Sequence, residues 1–566
     1  MSSTSAPPTP RSGTLKRTLG LWAIVGLGLG YMTPTVVFDT FGMVSRETND
    51  VVPSAYLVAL SVMMFTAVSY GKMAGAIPSA GSAYTYVRES VHPNVGFMVG
   101  WTSLIDYMLL PMVNCLIVRS YLEALFPGVP GWIWVVVYCA VVTSIIFLTM
   151  RGTSNLNMLL LVFSIVVIAV FVVLVIAQLA RGEAAGTVAS LHPFFHDSVT
   201  MGAVLTGATI VCFSFIGFDA VTMYAEEATS PAIMPRAILF TVLIGGAIFL
   251  IAAYFTQLRF PSSSAFPVEA IEDSTLPQIG LQVGGPVLQA ALTAAGFCAT
   301  LASGLASHAS VSRMLLVMGR NNVLPRRLFG HIDPKTRTPT FNIVLVGLIS
   351  LLAAAFTLKL IAAFINFGAL IAFTFVNVSV IAWFAIRKGR RRTPKDIVTF
   401  IALPGLGMVL TGILWANLHV DALVGGLVWT AIGFVYLVVL TRGFHRPVTA
   451  FDENQPVTGH QGHREGLNRA DQRRRGLRGG RSPRSSSLRR APAPRSGRSS
   501  ISLPLMRVPV SRARVPPGRS AGNSTIEKSG MIRMWPKSSR LRPPSFASAP
   551  TIWRGSTRCR LPTSMR

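Results

Sequence analysis

FSFIGFDAVTMYAEEATSP, residues 213–231, closes an apolar run that begins near Val199. It places a carboxylate, Asp219, where the chain should be passing through lipid. A carboxylate exposed at a bilayer centre costs about 2.5–3.5 kcal/mol even on the milder insertion scale. Ser214 and Gly217 come just before it, and both weaken a helix. Unwound backbone survives at membrane depth only where protein buries it or where it lines a cavity. The stretch therefore reads as a broken span. Its carboxylate either faces a wet cavity or caps the amides that the break sets free.

The rest of the chain agrees with that setting. Of 566 residues, 51% are hydrophobic, and they are clustered. MLLLVFSIVVIAVFVVLVIA (158–177) and AILFTVLIGGAIFLIAAYF (237–255) reach the roughly 20 residues needed to cross a bilayer. Neither shows the polar stripe of a soluble amphipathic helix. About twelve spans are expected, near 19–45, 54–76, 94–124, 131–150, 155–180, 199–226, 235–258, 284–317, 340–358, 361–386, 397–418 and 421–441. The fold class is an all-α membrane protein. Basic loop residues concentrate at 318–339 and 387–396, which places both termini in the cytoplasm. Residues 1–18 are a polar, basic cytoplasmic segment, and the apolar run after them reads as the first span rather than a cleaved signal.

A second interruption lies in GLGLGYMTPTVVFDTFG (26–42), where three alternating glycines and Pro34 should weaken the helix at its middle. The two interruptions are five spans apart. That spacing fits an inverted repeat of spans 1–5 against spans 6–10 with two spans appended, and a binding site at the breaks. The candidate binding residues are Gly28, Gly30, Tyr31 and Met32 in the first break and Phe213, Ser214, Gly217 and Asp219 in the second. Asp106 and Tyr107, in GWTSLIDYMLLPMVN (100–114), join them from the third span. Asp106 could equally hold a neighbouring helix by a hydrogen bond. Asp39 is a third carboxylate, in the outer half of the first span. Tyr31 and Tyr107 could close an aromatic face over an ammonium group. Arg119 and Glu123, four apart, should pair with each other near the outer surface. His308, in ASGLASHASVSR (302–313), is either structural or a proton relay.

Other chemistry is missing. The five cysteines form no CxxC, four of them lie inside spans, and no metal-ligand cluster, GxSxG or P-loop occurs. Neither an enzyme nor a bound metal or cofactor is expected.

Three further segments carry a resemblance: PSAGSAYTYVRES (78–90), EEATSPAIMPRAI (226–238) and SRMLLVMGRNNVLPRRLFGHIDPKTRTP (312–339). Together, over about residues 15–447, they resemble the amino acid–polyamine–organocation transporter superfamily. YMTPTVVFDTFG (31–42), VGFMVGWTSLIDY (95–107), GATIVCFSFIGFD (207–219) and INFGALIAFTFVNVSVI (365–381) resemble the bacterial putrescine importers of that superfamily. The resemblance implies the inverted-repeat fold named for the bacterial leucine transporter, and uptake driven by the proton-motive force. Its amino-acid members carry a Gly–Ser/Thr–Gly turn in the first span, whose amides hold the substrate carboxylate. Here the region reads YMTPT, in which proline has no amide donor. A small cationic diamine, putrescine, is the expected substrate, carried by alternating access. Asp219, Asp106 and His308 are the candidates for proton coupling. An amino acid or agmatine exchanger is the nearest alternative. The oligomeric state is left open.

The expected division is 1–18, the transporter domain 19–447 and a tail 448–566. From residue 449 onward about 25 lysines and arginines face about 5 acids, roughly +20 of the +29 net charge. A segment so poor in apolar residues cannot bury enough surface to offset its ordering entropy, so disorder is expected. It is either an arm for nucleic acid or anionic lipid, as in a membrane-tethered receptor, or a non-native extension. The transporter domain itself has no nucleic-acid partner on this reading. Deleting 449–566 should leave transport by whole cells unchanged, and any polyanion binding measured on the full chain should vanish with it.

Overall fold

The computed structural model describes residues 19–77, 82–148, 154–183, 187, 189–225, 228–320, 324–333 and 338–445. The segment 1–18 and the tail 448–566 lie outside the described residues. Nine described helices are long and apolar enough to cross a membrane, and the bent pair Leu21–Met32 and Val36–Thr48 makes a tenth span. Two shorter apolar helices, Gly131–Phe147 and Thr340–Ala354, bring the count to the twelve expected. Among the described residues there is no strand beyond a single bridge between Leu19 and Ala228.

Span 1 is Leu21–Met32 plus Val36–Thr48, span 2 is Val52–Ala76 and span 3 is Pro93–Leu125. Span 4 is Gly131–Leu148, span 5 is Ser154–Ala180, and span 6 is Met201–Phe215 followed by a tight turn, Ala220–Tyr224. Span 7 is Met234–Arg259. Span 8 lies within Leu276–Arg320, whose helix breaks at Gly284 and Gly285 before Pro286. Span 9 begins at Thr340, span 10 runs from Leu358, span 11 from Pro394 to Ala416, and span 12 is Val420–Leu440.

Burial separates the centre from the rim. The apolar window of span 3 is 83% buried and that of span 12 only 17%. Span 3 packs against spans 4, 8, 9, 10 and 12. The rim spans turn Val162, Val166, Val170 and Val173, or Val424, Val428 and Val435, outward. Apolar side chains in such rows suit hydrocarbon and would be costly in water.

Span 12 is nonetheless fixed to the centre. The indole N–H of Trp101 donates to the Trp429 carbonyl at 3.0 Å, and that of Trp429 donates to the Trp101 carbonyl at 2.9 Å. The two rings stack at 4.9 Å. Gly433 lies beneath, where a Cβ would come within 2.2 Å of the Trp101 ring. Gly433→Leu should therefore cost about 1–3 kcal/mol by overpacking and lower the unfolding temperature in detergent. Gly405→Ala, whose Cβ meets nothing within 4 Å, should not lower it.

Candidate functional site

The first break differs in detail from its sequence reading. Gly26, Gly28 and Gly30 all sit inside the helix Leu21–Met32. The chain leaves the helix instead at Thr33, whose φ of 51° is left-handed, just before Pro34. Proline disfavours helical geometry in the residue before it, and the break falls there, with the two halves meeting at 47°. The glycines serve close approach: a Cβ on Gly28 would lie 2.6 Å from Val221, in the turn after the second break.

The second break falls at Ile216–Asp219, where Gly217 has φ +119°. Side chains rarely adopt that geometry. A Cβ there would also lie 2.6 Å from the Tyr31 ring and 3.2 Å from the Met32 amide nitrogen. The two breaks therefore touch, backbone against backbone, at the one residue that has no side chain.

Asp219 serves the break directly. One carboxylate oxygen accepts from the Gly217 amide at 3.2 Å, and the other accepts from the Tyr107 hydroxyl at 3.3 Å. Asp106, one residue before Tyr107 on span 3, lies within electrostatic range of Asp219. Asp106 and Asp219 are 4% and 6% exposed. Asp106 Oδ1 and the Tyr31 hydroxyl are buried without a hydrogen-bond partner. Among the described residues no lysine, arginine or histidine pairs with either carboxylate. Two buried acids thus lie within electrostatic range of each other without a counter-charge among the described residues.

Anion-binding amides are scarce at the same place. Pro34 has none, Val36 N donates to the Thr33 carbonyl, and Phe38 N donates to that of Thr35. At the second break Gly217 N is taken by Asp219, Ile216 N by the Phe213 carbonyl and Phe218 N by that of Phe215.

The remaining candidates are distributed unevenly. Tyr31, Met32 and Tyr107 are buried at the breaks. Phe213 is buried one turn earlier. Ser214 points elsewhere, to a chain of hydroxyls running through Tyr56 to Thr40 at 3.1 and 3.4 Å. His308 lies apart from both acids, bonding the Ile343 carbonyl at 3.0 Å beside a small cavity lined by Cys115, Tyr138 and Cys139. Asp39 also stands apart. It takes its hydrogen bonds from Tyr121 and Ser274. Tyr121 follows Tyr107 by 14 residues on span 3, about 21 Å at 1.5 Å per residue. Arg119 reaches Glu123 at 3.8 Å, as expected, but also closes tightly on Asp273.

The aromatic surroundings of Asp219 escape a reading by spans. Tyr70 of span 2, Phe218 of the break and Phe373 of span 10 form a ring cluster with centroids 5.1–5.9 Å apart. Tyr86 joins it at 6.2 Å from Tyr70. A tyrosine in an otherwise apolar span was the available signal. A cavity of about 390 Å³ lies elsewhere, among spans 3, 10, 11 and 12, lined by Val99, Ile371, Phe375 and Trp415. Its threonines, Thr102, Thr374 and Thr430, donate to the carbonyls of their own helices, and no charged side chain lines it. No group of three or more metal-ligating side chains occurs among the described residues.

Residues 24–443 match the amino acid permease family. The chain is 46% identical over 454 residues to the low-affinity putrescine importer PlaP of Escherichia coli (strain K12), covering 80% of this chain and 100% of that one. It is 25% identical over 456 residues to the branched-chain amino acid permease BcaP of Bacillus subtilis (strain 168), covering 76% and 94%. To the vacuolar cationic amino acid transporter 4 of Arabidopsis thaliana it is 27% identical over 396 residues, covering 65% and 63%.

The contact between the breaks predicts that Gly217→Ala costs about 1–3 kcal/mol through backbone strain alone. Thermal unfolding in detergent should show the loss. Gly202→Ala, with open space around its Cβ, should unfold at the wild-type temperature.

Proposed function

The chain belongs to the amino acid permease family, and from that premise we propose that it imports a small diamine, putrescine foremost, by proton-coupled alternating access. The observation that carries the diamine is the pair Asp106 and Asp219, buried together with no cationic side chain beside them. Holding two ionised acids out of water costs several kcal/mol each unless they are matched. An ammonium about 4 Å from a carboxylate recovers roughly 4 kcal/mol at an effective dielectric of about 20. A diamine brings two such groups and leaves the site neutral. An amino acid would add a third negative charge where the amides of Val36, Phe38, Ile216, Gly217 and Phe218 are already engaged. The relative named as a putrescine importer supports the same substrate.

Tyr107 would hold Asp219 toward the solute, and the Tyr31 hydroxyl and Asp106 Oδ1 are free to bind it. The near-complete burial of both acids means that a solute enters and leaves only when the bundle opens. Binding of about −8 kcal/mol, a micromolar dissociation constant, permits both capture and release. The basic run Arg387, Lys388, Arg390, Arg391 and Arg392 lies between spans 10 and 11. Ion pairs Arg46–Glu272 and Lys359–Glu47 lie where span 1 ends and span 10 begins. That polarity supports cytoplasmic termini, with the ion-paired end outward.

Uptake of labelled putrescine by whole cells should be competed by cadaverine and little by ornithine or arginine. Equal competition by the amino acids would sink the diamine in favour of an amino acid exchanger. Asp219→Asn should lower uptake at least about 30-fold, the equivalent of ~2 kcal/mol of a lost charge pairing, with membrane insertion intact. Asp106→Asn should erase the preference for a diamine over a monoamine of equal length, which a purely structural Asp106 would not alter.

A further inference from the structure

Asp39 is fully enclosed, at 0% exposure, and it takes no part in the pair at the breaks. It lies in the first turn of the second half of span 1. The Tyr121 hydroxyl on span 3 donates to its two oxygens at 2.9 and 3.1 Å. The Ser274 hydroxyl donates at 2.7 Å from the segment between spans 7 and 8. Thr275 extends the clasp: its hydroxyl donates to the Phe38 carbonyl at 2.6 Å and accepts from the Gly42 amide at 3.2 Å.

No positive charge faces this carboxylate among the described residues. The titratable groups that face it are Tyr121 and Tyr56, of spans 3 and 2. Six charged groups near this half of span 1 are engaged in ion pairs with each other, and Arg259 is engaged elsewhere. Glu272 holds Arg46, Asp273 holds Arg119, Arg259 bonds Gln178 and the Gln282 carbonyl, and Glu47 holds Lys359. Cys212 of span 6 is buried, and His308 of span 8 bonds Ile343.

The segment that Asp39 grips is the same one that closes this end of the bundle. Glu272 ties it to span 1, and Asp273 ties it to span 3 and, through the Leu358 amide at 3.2 Å, to the start of span 10. Ionised, Asp39 accepts from both hydroxyls. Protonated, one oxygen carries a hydrogen that itself needs an acceptor, so the carboxyl gives up part of its hold on Ser274. We propose that Asp39 is the proton-binding residue through which the proton gradient drives transport. One proton joins the carboxylate from the outside water as this end loosens, and it leaves toward the cytoplasmic side once this end has closed and the other has opened, with only the O–H bond made and broken. Asp39 is thus a positioning residue, held by Tyr121 and Ser274 rather than placed in the pair of acids offered to the solute. The inference rests on the proton-coupled reading above and takes the coupling role from Asp106, Asp219 and His308.

The test uses the full chain, purified and placed in liposomes. Asp39→Asn should keep putrescine counterflow close to wild type while accumulation driven by an imposed pH gradient falls about tenfold or more. Tyr121→Phe and Ser274→Ala keep the carboxyl group, so they should retain accumulation but shift the midpoint of its pH dependence. Undiminished accumulation by Asp39→Asn overturns the proposal, and so does loss of counterflow together with accumulation in a folded variant. If Asp39→Asn does not fold, an unshifted pH midpoint in both hydroxyl variants overturns it instead. A wild-type protein that exchanges putrescine but never accumulates it against a gradient would defeat the proton-coupled reading itself, whatever Asp39 does.

Discussion

Gly217 sits with φ at +119° against the Tyr31 ring and the Met32 amide, and the site is arranged around that crossing. A helix that breaks inside a bilayer leaves backbone groups without partners, and lipid cannot supply them. Here each break is covered by the other. Asp219 takes the Gly217 amide, and Ser303 of span 8 donates to the Tyr31 carbonyl at 3.4 Å. A residue with a side chain at 217 would hold the two breaks apart and leave those groups bare.

The same crossing sets the electrostatics. Asp219 is both the cap of the broken helix and half of an acidic pair, so its capping role does not exclude the cation-binding one. Capping engages one oxygen with a neutral amide and the other with Tyr107. The negative charge is oriented by this but not cancelled. A serine hydroxyl or an asparagine carbonyl could also have accepted from that amide, and either would have left no charge for a cationic solute.

Charge is organised differently at the end where span 1 finishes. Arg46, Arg119 and Lys359 each meet an acid there, and Asp39 is wrapped in hydroxyls. Ion pairs and hydroxyl hydrogen bonds join the elements of that end. Asp106 has no such clasp, and its Oδ1 is left without a partner. A transporter needs this division, because its closing contacts must be satisfied within the protein while its binding contacts wait for the solute.

The amino-acid sequence by itself determined the twelve spans, the location of both breaks to within a few residues, and the burden of acid carried near them. Apolar run length, Pro34 and Gly217 act locally, so a linear reading captures them. It spread the first break over the glycines as well as Pro34, because helix weakening and close packing have the same signature in one dimension. Only the tertiary structure separated Asp39 from Asp106 and Asp219, turned Ser214 toward Tyr56, set His308 apart and gathered Tyr70, Tyr86 and Phe373 around Phe218. Those decisions depend on which face of each helix meets which neighbour. In spans that are apolar on nearly every side, no polar stripe records that face, and helix-to-helix packing alone fixes it.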